Sequence, residues 1–538
     1  MISADNITLR FGARTLFEDV TTEFTPGNCY GVIGANGAGK STFLKILSGE
    51  IDPDTGKVHT AKGSRVSFLR QNQFEFDDFT VINTVIRGHE KLYGIMTERD
   101  ALYAKPDFSD ADGMRTADLE AQFTEIGGWE AVSEAASLLS NLGIPEPLHE
   151  MKMRDLDGAL KVRVLLAQAL FGNPDVLLMD EPTNGLDPDS ILWLEEFLYN
   201  FQNTVIVVSH DRHFLDRVCT HILDIDYQKI RLYTGNYSFW YQASQLALRQ
   251  TQDQNKQKEE KIKELKEFIA RFSANASKAR QATSRKRLLD KISLDEIKPS
   301  SRRYPSILFK AERESGRSIL SVAGLTKAVE DQKVLENFSL SVQRGEKIAF
   351  VGKSSLPATV LFQILEGTLQ PDSGTVEWGS TAVPSFFPRD NGPYFETDLN
   401  LIEWLRQYSK EQTEGYIRGF LGRMLFSGDE AKKNARVLSG GERVRCMLSK
   451  MMVHGGNVLV MDEPTNHLDL EAITALNDAL VDFSGTVLFS SRDHQFIQTV
   501  ANRIVEIAPK GVLDVNMPFD AYLEDSRVRE QRQLLYAA

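Results

Sequence analysis

Residues 34–41 read Gly34-Ala35-Asn36-Gly37-Ala38-Gly39-Lys40-Ser41, with glycines at the ends of a six-residue loop, then a lysine, then a hydroxyl. That order of residue types is suited to gripping a triphosphate. Backbone N–H groups around Gly34, Asn36, Gly37 and Gly39 converge on phosphate oxygens, and the start of the following helix adds positive potential. Lys40 pairs with the β and γ oxygens, the Ser41 hydroxyl takes Mg²⁺, and Thr42 stands beside it in the first helical turn. The context fits: the apolar run Tyr30–Ile33 reads as the strand leading in, and Ser41–Leu47 as the helix leading out. A second aliphatic run, Val176–Met179, ends in the carboxylates Asp180 and Glu181. Asp180 is placed to organise Mg²⁺ through water, and Glu181 to polarise the attacking water as general base. The run Val205–Val208 is followed by His210, which is placed to contact the γ-phosphate, although a lone histidine is more often structural. Gln71 follows a short strand and is a candidate sensor of Mg²⁺ and water. Phe11 is the candidate to stack on adenine, a core position being the alternative. The chemistry expected of these residues is ATP binding and hydrolysis, with Mg²⁺ as cofactor.

These residues belong to the first of two copies of one module. Gly34 and the turn Pro53-Asp54-Thr55-Gly56 recur 318 residues on, at Gly352 and Pro371-Asp372-Ser373-Gly374, whereas Leu156 and Met179–Asn184 recur 282 residues on, at Leu438 and Met461–Asn466. The first copy therefore holds 36 extra residues between about 71 and 155. Residues 88–130, mostly polar or helix-forming, predict a projecting helical hairpin, a tolerated surface insertion being the plainer alternative. The second loop is altered where it matters most, since Pro357 stands at the position of Gly39 and Ala358 at that of Lys40. The chain divides into a first ATPase domain (1–244), a helical basic linker (245–318) and a second, degenerate domain (319–538). The fold class is α/β, two phosphate-loop domains in tandem joined by a long helical hairpin.

With 538 residues, 25% of them charged, the chain is long enough for two or three domains. No apolar run is long enough to cross a bilayer and the N-terminal residues carry no signal-peptide pattern, so a transporter role would need a separate membrane partner. Cys29, Cys219 and Cys446 are too few and too scattered for a disulfide scaffold or a thiolate zinc site, which suits a reducing cytoplasm. The net charge of −13 argues against general nucleic-acid binding. The linker departs from that average: residues 251–310 hold 16 Lys and Arg against 8 Asp and Glu, and residues 271–287 hold six basic residues and no acidic one. Basic residues separated by small ones suit a phosphate backbone, although a charged linker helix is usually only solvated.

Leu438-Ser439-Gly440-Gly441-Glu442-Arg443-Val444-Arg445, together with the loop and carboxylate pair, resembles the signature of the ATP-binding cassette superfamily. In that superfamily two cassettes sandwich ATP head to tail. The resemblance implies one complete composite site, made of Lys40, Ser41, Gln71, Asp180, Glu181 and His210 from the first copy and Ser439, Gly440, Gly441 and Asp469 from the second. It implies that the other site is eroded: Arg389 replaces Gln71, Arg492 replaces His210, and Asp157 replaces the signature serine, leaving Thr359, Asp462 and Glu463. The two Glu-Pro-Thr-Asn stretches at Glu181 and Glu463, the insertion and the basic tract are similar over the whole chain to the ABC-F family, and to its YbiT-like branch. That resemblance implies a monomer acting on the ribosome near the tRNA exit site. Arg271, Lys278, Arg280, Arg285 and Arg287 become candidate contacts to ribosomal RNA or tRNA. A noncatalytic, ATP-regulated ribosome-binding scaffold and a transporter-associated ATPase are the alternatives.

Overall fold

The aliphatic runs that end in carboxylate pairs, Val176–Asp180 and Val458–Asp462, become the fully buried inner strands of two sheets. Strands covered on both faces lose the apolar–polar alternation of half-exposed ones, and both runs read that way. The structure, a computed structural model, describes residues 1–12, 14–69, 72, 74–272, 302–330 and 332–536. In the first cassette Val66–Phe68, Val176–Asp180, Thr204–Val208, Cys29–Gly34 and His221–Asp226 lie side by side and parallel, and Lys229–Thr234 closes one edge antiparallel. The second cassette repeats the order with Pro384–Phe387, Val458–Asp462, Thr486–Ser490, Lys347–Val351, Arg503–Ala508 and Gly511–Val515. Each also carries a three-stranded antiparallel sheet, centred on Ile2–Phe11 in the first copy and Ser318–Val329 in the second. The expected tandem α/β architecture is what forms.

This topology places chemistry at the carboxyl ends of the parallel strands, where open α/β sheets present their loops. Cys29–Gly34 delivers the phosphate loop, Val176–Asp180 the carboxylate pair, and Thr204–Val208 the segment Ser209-His210-Asp211. Register brings them together: Asp180 pairs with Val208, and Val32 with Val208 on the other side.

Within residues 88–130, Glu90–Tyr103 and Asp110–Glu125 form two antiparallel helices. Arg115 Nε donates to Glu98 Oε1 at 2.7 Å and the Tyr103 hydroxyl to Glu120 Oε1 at 2.7 Å. Ser109 and Asp112 cap the second helix reciprocally. Another helix, Tyr237–Phe272, leaves the first cassette. Lys278, Arg280, Arg285, Arg287 and the return limb of the expected linker hairpin lie outside the described residues, as does the side chain of Arg271. Residues 302–317, expected to be helical, contain no helix. They run over the second cassette instead: Ser306 N–H donates to the Arg423 carbonyl at 2.8 Å, and Phe309 packs edge-on against Phe483. Pro305 lacks the N–H a helix needs there, and burial of Phe309 rewards the extended path. Cys29 and Cys219, distant in sequence, face each other as free buried thiols with Sγ atoms 3.9 Å apart.

Candidate functional site

Gly39 occupies the left-handed region at φ 103° and starts the helix Lys40–Ser48, so the loop turns sharply into a helix N-terminus. A Cβ at Gly34 would stand 2.8 Å from the Ile225 carbonyl oxygen, so only glycine lets the loop pass over the neighbouring strand. Lys40 is buried, and its Nζ donates to the carbonyls of Gly34 at 2.8 Å and Ala35 at 3.3 Å, across the mouth of the loop. Burial lowers its pKa; Glu181, Asp469, Glu471 and Asp180 work in the opposite direction. An ammonium held by carbonyl oxygens in this way is ready to exchange them for phosphate oxygens.

Glu181 follows the strand end with φ 53°, an unusual backbone for a non-glycine residue, repeated at Glu463 with φ 49°. Its Oε2 accepts from the His210 backbone N–H at 3.3 Å, and its Oε1 lies 3.6 Å from His210 Nε2. Burial, with the neighbouring Asp180, pushes the Glu181 carboxyl up to about 8. Burial also brings the His210 imidazole down to about 3, with Lys40 and Arg302 adding to the effect. At neutral pH the short distance between them is thus a contact between an uncharged imidazole and a largely protonated carboxyl, and not an ion pair. Such a carboxyl is poised to hold and release a proton near the working pH.

Facing this wall is the second cassette. Ser439 caps the helix Gly440–His454, accepting from the Glu442 N–H at 3.4 Å while Glu442 Oε2 accepts from the Ser439 N–H at 2.9 Å. The reciprocal cap fixes a helix N-terminus, with its positive end, on the cavity. Asp469 caps the next helix, Leu470–Asp482, through the Ala472 N–H at 3.0 Å. Asn36 Nδ2 donates to the His467 carbonyl at 3.2 Å, tying the phosphate loop to the opposite cassette. Between the two walls lies a cavity of about 1190 Å³. Asn36, Gly37, Gly39, Lys40, Ser41, Thr42, Asp180, Glu181 and His210 line one side, and Ser439, Gly440, Gly441 and Asp469 the other; the space continues to Arg389, Glu463 and Arg492. Gly34 underlies the loop through its carbonyl to Lys40. Gln71 lies outside the described residues, and so does the side chain of Phe11, whose backbone ends the strand Ile2–Phe11.

In the second site the surviving Thr359 and Asp462 line, with Arg389, a space of about 370 Å³; behind the second loop itself the space is about 30 Å³, lined by Gly352, Lys353, Pro357, Ala358 and the first cassette's Asp187 and Pro188. That is room for a water or two. Arg389, at the position of Gln71, sends Nη1 to Ser355 Oγ at 2.6 Å. Arg492 Nε lies 3.5 Å from Glu463 Oε1, so the second glutamate faces a guanidinium where the first faces an imidazole. Asp157 spends its carboxylate capping its own helix, accepting from the Leu160 N–H at 2.8 Å. The C-terminal helix Ser526–Tyr536 closes the back of the loop. Tyr536 Oη accepts from the Lys353 N–H at 3.2 Å and donates to Glu506 Oε1 at 3.0 Å. Arg532 joins Glu506, at 2.8 Å, to Asp189 of the first cassette, at 3.1 Å. Sequence reasoning did not find Arg532, Tyr536 or His467; the first two stand in no motif, while His467 fills the variable position of the stretch Glu463–Asp469, and the neighbours of all three are set by tertiary packing.

A family model described as ABC transporter matches residues 17–184 and again 335–466, and an extension model of the same description matches residues 223–309. The chain is 62% identical over 539 residues to the uncharacterized ABC transporter ATP-binding protein YkpA of Bacillus subtilis (strain 168), all of both chains being covered. It is 46% identical to the probable ATP-binding protein YbiT of Escherichia coli O157:H7, covering 98% of this chain and 100% of that one. It is 32% identical to ABC transporter F family member 5 of Arabidopsis thaliana, covering 98% of this chain and 78% of that one. In fold it is similar to the archaeal ribosome recycling factor aABCE1 in complex with the ribosomal stalk protein aP1, with a TM-score of 0.61, 17% identity and 99% of each chain covered.

Proposed function

Since the chain belongs to the ATP-binding cassette family, in its tandem-cassette F-type branch, we propose that it is an ATPase with one working composite site that acts on the ribosome. The observation that carries the ATPase reading is the cavity of about 1190 Å³ enclosed by the intact loop of one cassette and the signature helix of the other. In this reading Lys40 leaves the Gly34 and Ala35 carbonyls for the β and γ oxygens of ATP. The helix N-terminus behind Ser439, Gly440 and Gly441 completes the anion site from across the interface. Glu181, as a carboxylate, takes the proton of the attacking water, and His210, uncharged, holds that water or the γ-phosphate as donor. Ser41 and Asp180 are the residues that would hold Mg²⁺, whose charge would offset that of the phosphates; such ions take few protein ligands when phosphates supply the rest. Asp469 lines the same space from the second cassette.

The ribosome part of the reading rests on the F-type membership and on the basic residues Arg271, Lys278, Arg280, Arg285 and Arg287, which offer a phosphate-binding stretch in an otherwise acidic chain. ATP binding closes the cassettes and fits the protein near the tRNA exit site, and hydrolysis opens it for release. A cytoplasmic monomer goes with this proposal, and no described helix is long and apolar enough to cross a membrane. The experiment is co-sedimentation with ribosomes, with and without ATP, in the Glu181→Gln background, alongside turnover in the wild type. ATP-dependent sedimentation and ribosome-stimulated turnover are expected. Docking without turnover would leave a scaffold, and neither docking nor stimulation would remove the ribosome.

A further inference from the structure

Arg302 follows residues 273–301 in the chain and lands in the joint between the two cassettes. Its side chain is largely buried and touches three bodies at once. Nη2 donates to Asp224 Oδ1 of the first cassette at 2.5 Å. Nη1 donates to Glu471 Oε1 of the second at 2.7 Å. The guanidinium lies 4.5 Å from the ring centroid of Trp240, in the first turn of the helix Tyr237–Phe272. The clamp therefore joins the start of the helix Tyr237–Phe272 to Arg302, on the far side of the interdomain segment in sequence.

Glu471 is the second residue of the helix that Asp469 caps, and Asp469 lines the ATP cavity. The same helix is tied to the first cassette a turn further on, where Arg212 Nη1 donates to Thr474 Oγ1 at 3.3 Å. Arg212 in turn stands two residues from His210. A planar fork with two carboxylates fixes direction as well as distance, which a lysine does not do. Charge at the clamp also reaches the site: Arg302 lowers the pKa of His210, and Glu471 acts against the lowering of Lys40.

We propose that Arg302 is a positioning residue for ATP hydrolysis, holding the helix start that presents Asp469 to the cavity and relaying load on the interdomain segment to that helix. It does not line the ATP cavity and acts through Glu471. The inference rests on the ATPase reading above, and its linker component rests on the ribosome reading.

The test compares wild type, Arg302→Lys, which keeps the charge but loses the two-pronged fork, and Glu471→Gln, which keeps an acceptor oxygen for Arg302 but loses the charge. For purified protein alone, kcat of Arg302→Lys falls about tenfold, which is about 1.4 kcal/mol in the barrier. KM for ATP and the thermal midpoint stay at their wild-type values, and Glu471→Gln behaves alike. An unchanged kcat overturns the proposal. So does a fall in kcat that comes with weaker ATP binding and a lower thermal midpoint, because that is a merely structural joint. With ribosomes present, the fold-stimulation in Arg302→Lys falls below that of the wild type; equal stimulation in both overturns the relay. A wild type that ribosomes do not stimulate defeats the ribosome reading and the relay with it, while the kcat comparison still decides the positioning role.

Discussion

Replacing Glu181 by Gln and Glu463 by Gln gives two isosteric changes at matching positions, and the structure makes their consequences unequal. Glu181 and Glu463 both line the cavity of about 1190 Å³, but Glu181 stands there beside the intact loop and opposite a capped signature helix, whereas Glu463 faces Arg492 and belongs to the loop altered at Pro357 and Ala358. What separates the two sites is therefore the loop chemistry: Lys40 and Gly39 on one side, Ala358 and Pro357 on the other, where the space behind the loop is about 30 Å³. A general base contributes roughly 10² to 10⁴ in rate, about 3–5 kcal/mol of barrier. Glu181→Gln is therefore expected to lower kcat at least a hundredfold while ATP still binds, because Lys40 and the loop are untouched. Glu463→Gln is expected to leave kcat within about twofold, the limit for a site that carries no turnover. The assay is steady-state phosphate release, with KM determined for each variant. Comparable losses in the two variants would refute the one-site reasoning, as would a Glu181→Gln protein that turns over at the wild-type rate.

Because the Glu181 carboxyl is raised to about 8 in the nucleotide-free protein and is active only when deprotonated, kcat/KM for ATP, which reports the free enzyme, is expected to rise from pH 6 to 9 with a midpoint near 8, while His210, lowered to about 3, adds no inflection. The same raised value stabilises the nucleotide-free fold below the ordinary carboxylate range and is lost as pH rises through 8, so the thermal midpoint of wild type should fall relative to Glu181→Gln over that window. Gly441→Ala puts a Cβ 2.8 Å from the His467 carbonyl oxygen; overpacking costs about 1–3 kcal/mol, so ATP affinity should drop roughly ten- to a hundredfold by isothermal titration. Neutralising Arg271, Lys278, Arg280, Arg285 and Arg287 should weaken ribosome association and flatten its salt dependence by roughly 0.7 to 0.9 per lost phosphate contact, read from sedimentation at several salt concentrations; an unchanged slope removes these residues from the interface.

The tandem α/β fold was legible because its signals are local and repeated. Glycine spacing set the loop, aliphatic runs closing on carboxylates set the inner strands, and a change of offset located the insertion. Register, by contrast, is not local. Nothing in the spacing of Cys29 and Cys219 says that their sulfurs lie 3.9 Å apart. The helical reading of residues 302–317 gave way because Phe309 finds a groove on the second cassette and Pro305 breaks the pattern. Of the second site, sequence showed the lost lysine and glycine. It did not show that Arg389 bonds to Ser355 or that Tyr536 closes on Lys353, since both contacts join segments more than thirty residues apart. Asp157, which stands at the position of the signature serine, caps its helix as Ser439 does, accepting from the Leu160 N–H at 2.8 Å.

The central claim is that one ATP binds, between the intact loop and the opposite signature. Its most direct test is the count of nucleotide retained per chain by Glu181→Gln protein after incubation with ATP and rapid removal of free ligand. One ATP per chain is expected, abolished by Lys40→Ala and unchanged by Glu463→Gln. Two per chain would contradict the account, because the second loop would then hold a triphosphate despite Pro357, Ala358 and the closed space around them.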